Sequence, residues 1–144
     1  MEKGIWDLVV IGAGPGGYAA AFRAADLGQK VLLIDRDEKL GGVCLNRGCI
    51  PSKALLHIVK VVSEAKHLSN IGVSFKDPVF DIEKIRSHKN KIIGQLNNGI
   101  AQLAKARKVS VICGEASFLS NEAVSVKSKN ENKTISFKNC IIAS

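Results

Sequence analysis

The chain has 144 residues, of which 46% are hydrophobic and 24% charged, and its formal charge is +8. That balance fits one globular domain or part of a larger one, and excludes disordered, collagen-like and disulfide-dependent miniature chains. The length leaves no room for two nucleotide-binding domains.

Trp6-Asp7-Leu8-Val9-Val10-Ile11 is a β-rich apolar run that stops at glycine, and it reads as a buried strand. Gly17 to Leu27, rich in alanine, reads as a helix, with Gly28 as its stop. Val31-Leu32-Leu33-Ile34 is a second buried strand that ends at Asp35. Strand, glycine turn, helix and strand in this order make a βαβ unit with parallel strands.

Gly41 to Gly48 reads as a glycine-rich loop. Beyond Pro51, the positions Ala54, Leu55, Ile58, Val61, Val62, Ala65 and Leu68 follow helical spacing. Asn70 to Pro78 is a turn region. Asp81 is a candidate N-cap for a second long helix marked by Ile82, Ile85, Ile92, Ile93, Leu96, Ile100 and Leu103. The two helices are expected to form an antiparallel hairpin. Short β-type runs follow at 109–112, 116–118, 123–126, 134–137 and 140–143, spaced as in a small meander. The fold class is therefore α/β: a Rossmann-like βαβ unit, a long helical hairpin and a small β-meander. Because the chain stops at the end of an apolar run, it is expected to be incomplete at its C-terminus.

Leu8 to Phe22 contains no charged residue, yet this stretch is too short and glycine-rich to span a membrane. With no basic leader in front of it, the expected setting is soluble and cytoplasmic. Residues 76–144 carry twelve basic and six acidic side chains, against nine and seven in residues 1–75. The lysines are scattered and no basic run is interleaved with aromatics, so no nucleic-acid partner is expected. Cys113 and Cys140 stand alone in apolar stretches, as buried small hydrophobes do.

Two motifs carry chemistry. Gly12-Ala13-Gly14-Pro15-Gly16-Gly17 has the G-x-G-x-x-G spacing. Gly12 permits a tight turn, Gly14 lets backbone approach a pyrophosphate, and Gly17 lets helix and sheet pack closely. The helix N-terminus offers free N–H groups to phosphates, and Asp35 stands where an acid meets ribose hydroxyls. Cys44 and Cys49 form a C-x4-C pair. Zinc would need two more ligands, and His57 is the only nearby imidazole. Inert buried thiols would sit poorly among so many glycines, which leaves a redox disulfide. Residues five apart on a regular helix lie about 8 Å apart, whereas a disulfide needs roughly 4.4–6.8 Å, so a helix must begin late between them. Cys49 would then lie near a helix N-terminus, where the dipole stabilises a thiolate. Lys53, one turn on, could add positive charge or simply be an exposed lysine.

The run from Gly41 to Leu56, GGVCLNRGCIPSKALL, resembles the redox signature of the flavin-dependent pyridine nucleotide-disulfide oxidoreductases, class I. Leu45, Ile50-Pro51-Ser52-Lys53 and Ala54-Leu55-Leu56 are similar to the dihydrolipoamide dehydrogenase variant. Glutathione and mercuric reductases usually differ at several of these positions and are the alternative. The resemblance extends from Trp6 to Ser144, through Asp81–Arg86 and Gly114–Phe118.

The resemblance implies FAD at Gly12, Gly14, Pro15 and Gly17. It implies that Asp35, where many relatives have Glu, holds the adenosine ribose with Arg36 beside it. Gly42, Val43 and Cys44 would line flavin and pyrophosphate, Lys53 would approach the flavin ring, the Ala116 backbone would meet adenine, and Ser144 would join the cofactor-binding set. Cys44 would be the interchange thiol and Cys49 the flavin-side thiol, with NAD as the final electron acceptor. The implied partners are lipoyl domains of 2-oxo acid dehydrogenase complexes and a second copy of the full-length chain. No metal is expected. Residues 1–144 would be the N-terminal segment of an FAD-binding domain. The NAD-binding and dimer-interface domains, the latter with the family's His–Glu acid–base pair, would lie outside it, and His57, His67 and His88 do not match that pair. The chain by itself is expected to be inactive, and the other reading is a non-catalytic, truncated FAD-binding module.

Overall fold

The computed structural model of the chain describes residues 4–129 and 131–144. The first apolar run forms strand β1 (Trp6–Ile11), and the second forms β2 (Val31–Asp35). They pair in parallel, Leu8 opposite Val31 and Ile11 opposite Ile34. Helix α1 (Pro15–Asp26) connects them. It begins two residues earlier than its alanine run suggests, because proline fits the first helical turn, where its missing N–H costs nothing. It closes on Gly28 at φ +82°, with the Gly28 and Gln29 amides donating to the Ala25 and Ala24 carbonyls.

The glycine-rich stretch is not simply a loop. Helix α2 (Gly42–Asn46) occupies its centre, and α3 (Cys49–His67) starts three residues later. Gly41 and Gly48 flank α2, which opens on Gly42, while Leu45 within it is buried. After a 3-10 turn (Leu68–Ile71), helix α4 (Ile82–Ala106) begins under the expected cap: Asp81 Oδ1 accepts the Lys84 N–H at 3.0 Å. α3 and α4 pack together, as the helical spacing predicts. α4 seats Asn97, Ile100 and Ala104 in the core, whereas α3 buries no residue fully.

The remaining strands are β3 (Ser110–Cys113), β4 (Glu115–Ser120), β5 (Ala123–Lys127) and β6 (Asn132–Ile142). The strand order is β3-β2-β1-β6-β5-β4. Two details differ from the sequence reading. The run at 109–112 joins the parallel sheet beside β2 rather than the meander. The last two runs are a single strand: the first part of β6 pairs antiparallel with β5, and its end pairs in parallel with β1. The polar residues Lys138 and Asn139 lie between the two runs. They continue the ladder, with Lys138 Nζ donating to Asp7 Oδ1 at 2.7 Å.

Successive residues of β1 and β2 serve opposite cores. Leu8, Val10, Val31 and Leu33 pack with Ala21, Ala24, Ile100 and Ala104 on the helical side. Val9, Leu32 and Ile34 pack with Val124, Val126 and Phe137, so the antiparallel end of the sheet curls over the other face. Full burial of each Val, Leu, Ile or Phe side chain contributes roughly 1.5–3 kcal/mol. Among the described residues, no helix is long and apolar enough to cross a membrane.

Two substitutions test these contacts in urea unfolding. A Cβ on Gly17 would lie 1.7 Å from the Gly12 carbonyl oxygen. Gly17→Ala is therefore expected to cost about 3 kcal/mol or more, or to prevent folding. Lys108 closes α4 at φ +56°, its N–H donating to the Lys105 carbonyl, at a position where glycine carries no steric penalty. Lys108→Gly is expected to raise stability by up to about 1 kcal/mol.

Candidate functional site

The C-terminal ends of the parallel strands converge on the two motifs. Gly12 leaves β1 at φ +102°, and a Cβ there would stand 2.5 Å from the Ala143 carbonyl oxygen and 2.9 Å from the Ser144 nitrogen. The turn and the tail of β6 thus exclude a side chain at this point. The Gly12 N–H donates to the Ile34 carbonyl, and the Ala143 N–H to the Ile11 carbonyl. Gly14 behaves differently. Its φ of −67° suits any residue, and nothing lies within 4 Å of where its Cβ would be. Neither strain nor crowding inside the chain requires glycine at Gly14. An incoming ligand would. α1 opens there with Pro15, no side-chain cap and no acidic residue in its first turn, which leaves backbone N–H groups and the positive end of the helix dipole available.

Asp35 braces the turn from β2. Its Oδ2 accepts the Ala13 N–H at 2.6 Å and its Oδ1 the Asp37 N–H at 2.8 Å. The carboxylate is thereby oriented beside the glycine turn, and each oxygen keeps further acceptor capacity.

The redox motif packs directly onto the glycine turn. The Gly41 N–H donates to the Ala13 carbonyl at 2.8 Å. A Cβ on Gly42 would lie 2.7 Å from the Gly14 Cα, so these two backbones touch only because residue 42 is glycine. Cys44 in α2 and Cys49 at the first position of α3 form a disulfide with a Cα–Cα distance of 4.7 Å, within the normal range. The expected late helix start is realised by two helices with a break at Arg47–Gly48. Val43 is exposed, and both cysteines are half-buried. Cys113 and Cys140 are free; burial raises the Cys140 thiol pKa, while Cys113 is exposed rather than buried as its sequence context suggests.

Other residues of the expected set are more dispersed. Lys53 is exposed on α3. Ala116 sits on β4 opposite Val126 and packs on the second core. Arg36 lines a cleft of about 720 Å³ with Lys39, Arg47, Lys89 and Lys129, and its carbonyl accepts the Cys113 thiol at 3.4 Å. The cleft's two carboxylates, Asp37 and Glu38, pair with Arg47 at 2.6 Å and Lys129 at 2.7 Å. Among the described residues, no group of three or more His, Cys, Asp or Glu side chains could hold a metal ion.

Sequence reasoning missed Asn46 and Asn97. Asn46 Nδ2 donates to the Gly42 and Leu40 carbonyls, and buried Asn97 of α4 donates to Leu40 and Asn46. One signal was legible: Asn97 interrupts the apolar stripe Ile93, Ile100, Ala104.

The Glu38–Lys129 pair yields a pH test. The hydrogen bond from Lys129, then its charge, hold the Glu38 carboxyl below its ordinary 4.5. A carboxyl lowered by folding contributes stability that is complete above the unfolded value and is lost as pH falls through the folded one. Native chain and Glu38→Gln should differ in urea midpoint near neutral pH, and the gap should close as the pH falls through the lowered Glu38 pKa.

Comparison with known proteins agrees with this geometry. The family described as pyridine nucleotide-disulphide oxidoreductase matches residues 6–144. A dihydrolipoyl dehydrogenase of Buchnera aphidicola subsp. Schizaphis graminum is 51% identical over 137 residues, which is 95% of this chain and 29% of that protein. One from Vibrio cholerae is 50% identical over 136 residues, again 29% of its length. The chain therefore spans less than a third of the length of these curated relatives. Among solved structures, the Cu(II) complex of the HOCl-induced flavoprotein disulfide reductase RclA from Escherichia coli is similar over 99% of this chain, with a TM-score of 0.81 and 26% identity. On the strength of the family match, the joined glycine turns and the disulfide, the chain belongs to the pyridine nucleotide-disulphide oxidoreductase family.

Proposed function

We propose that this chain holds the adenosine, pyrophosphate and flavin of FAD against a redox-active Cys44–Cys49 disulfide, as the N-terminal segment of the FAD-binding domain of a dihydrolipoyl dehydrogenase. The observation that carries the proposal is the contact of Gly42 with Gly14, which sets the disulfide-bearing helix directly on the phosphate-binding turn. The residues fit the cofactor on three counts: an open surface at Gly14, an uncapped helix N-terminus, and an acid held at the end of β2.

In this reading Gly12, Gly14, Pro15 and Gly17 shape the pyrophosphate cradle, with α1 N–H groups as donors. Asp35 accepts from the ribose hydroxyls while it braces Ala13, and Arg36 and the Ala116 backbone flank adenine. Ser144 borders the turn beside Gly12, and Gly42, Val43 and Lys53 line the flavin side. When bound, FAD supplies a two-electron acceptor for the cysteine pair.

The chain's own chemistry is thiol–disulfide exchange. A dihydrolipoamide thiolate attacks Cys44 Sγ, the Cys44–Cys49 bond breaks, and Cys49 leaves as a thiolate stabilised at the α3 N-terminus. The second substrate thiol then displaces Cys44. The products are lipoamide and two reduced cysteines, which have gained two electrons and two protons. The proposed physiological substrates are lipoyl domains of 2-oxo acid dehydrogenase complexes. NAD as final acceptor and a homodimer belong to the longer protein proposed here.

Single-cysteine variants test the division of labour. With oxidised lipoamide, Cys49→Ser should form a mixed disulfide at Cys44 visible by mass spectrometry, and Cys44→Ser should form about tenfold less. Equal adducts on both, or a preference for Cys49, would reverse the assigned roles.

A further inference from the structure

Asn97 lies outside both motifs, on a helix that carries none of the proposed chemistry, yet it reaches the redox segment. Its Nδ2 donates to the Leu40 carbonyl at 2.8 Å and to Asn46 Oδ1 at 3.1 Å. Asn46 Nδ2 in turn donates to the Gly42 carbonyl at 2.9 Å and the Leu40 carbonyl at 3.2 Å. Leu40 and Leu45, on either side, are buried. Because both partners of Asn97 Nδ2 are acceptors, the amide has only one favourable orientation. Its Oδ1 is buried without a hydrogen-bond partner among the described residues. Such an orphan acceptor is costly, and a leucine would fill the space without it. The two hydrogen bonds that it donates are what an apolar residue at this position could not supply.

What those bonds hold is α2. Five residues are too few for a helix to stand alone, and α2 has no side-chain N-cap. Its entry is pinned to the glycine turn by the Gly41 N–H and the Gly42 backbone, and the rest of it is held by the disulfide to α3, the burial of Leu45 and the amide chain. The tie to α3 is lost each time the disulfide opens. We propose that Asn97 is a positioning residue: through Asn46 and the Leu40 carbonyl it keeps α2 seated on α4 in the reduced state, so that Cys44 stays within reach of Cys49. The proposal rests on the reading that this disulfide opens and closes in function.

The test is the equilibrium of the 144-residue chain with glutathione. Two glutathiones give two electrons and two protons to open the Cys44–Cys49 bond, leaving two cysteine thiols and one glutathione disulfide. The equilibrium constant gives the effective concentration of one cysteine thiol at the other. Asn97→Leu should lower it about fivefold or more, because the disulfide still seats α2 in the oxidised variant whereas nothing replaces the one or two lost hydrogen bonds once it opens. Ile100→Ala, a cavity substitution on the same face of α4, should lower the thermal midpoint but leave the thiol equilibrium within about twofold. No shift in Asn97→Leu, or an equal shift in both, overturns the proposal. Native chain supplies a second reading that needs no variant: the Asn97 side-chain N–H protons should exchange slowly by NMR both before and after reduction. Loss of that protection on reduction also overturns it. Failure to bind flavin or to react with lipoamide would defeat the functional reading, and would leave both of these measurements readable.

Discussion

Three backbones meet at Gly12 more closely than side chains permit. The exit of β1, the first turn of α1 and the tail of β6 crowd one another there, with the Gly12 carbonyl against Gly17 and the Ala143 carbonyl against Gly12. A fourth segment, the Gly41–Gly42 turn, then lies on Gly14. The remaining site follows from this crowding. The helix can begin beside the strand ends, its N-terminus is left facing outward, and the disulfide-bearing helix α2 is brought against the same turn. Gly14 is the exception that gives the arrangement a direction: it borders open space, so the cradle is closed on the protein side and open on the ligand side.

The two-sided core keeps this junction rigid. β1 and β2 are covered by helices on one face and by the curled antiparallel strands on the other, so the strand ends that carry Gly12 and Asp35 have little freedom. Asp35 is fixed further by the two backbone amides it accepts. On the redox side, rigidity comes from different sources. α3 buries no residue fully, and Leu55, Leu56 and Val59 on it are exposed. The cysteine segment is therefore tied to α4 through the asparagine amides as well as to α3 through the disulfide.

Most of the βαβ unit was legible because its signals are local: contiguous apolar runs, a glycine spacing and an acid at a strand end. The Cys44–Cys49 pair was legible for the same reason, including the need for a helix to start between the two residues. The α2 helix was not, because glycines at 41, 42 and 48 dominate the local pattern, while Leu45 burial and the Asn46 amide bonds, which steady it, depend partly on residues distant in sequence. The unity of β6 was hidden by Lys138 and Asn139, whose partner Asp7 lies far away in sequence. Asn97 was visible only as a polar gap in an apolar stripe; its partners are 51 and 57 positions distant. Pairing with β2 rather than the meander likewise placed β3 through contacts that no local pattern encodes.

The central claim is that the glycine turns and the oriented Asp35 already form a dinucleotide cradle beside the disulfide. The most direct measurement is the visible absorption spectrum of the purified chain after mixing with FAD and removing free ligand, beside that of Gly14→Val. A flavin band retained by the native chain and lost in the variant, with the variant's fold intact by circular dichroism, is the predicted result. Equal retention by both, or no flavin on a correctly folded native chain, would contradict the claim.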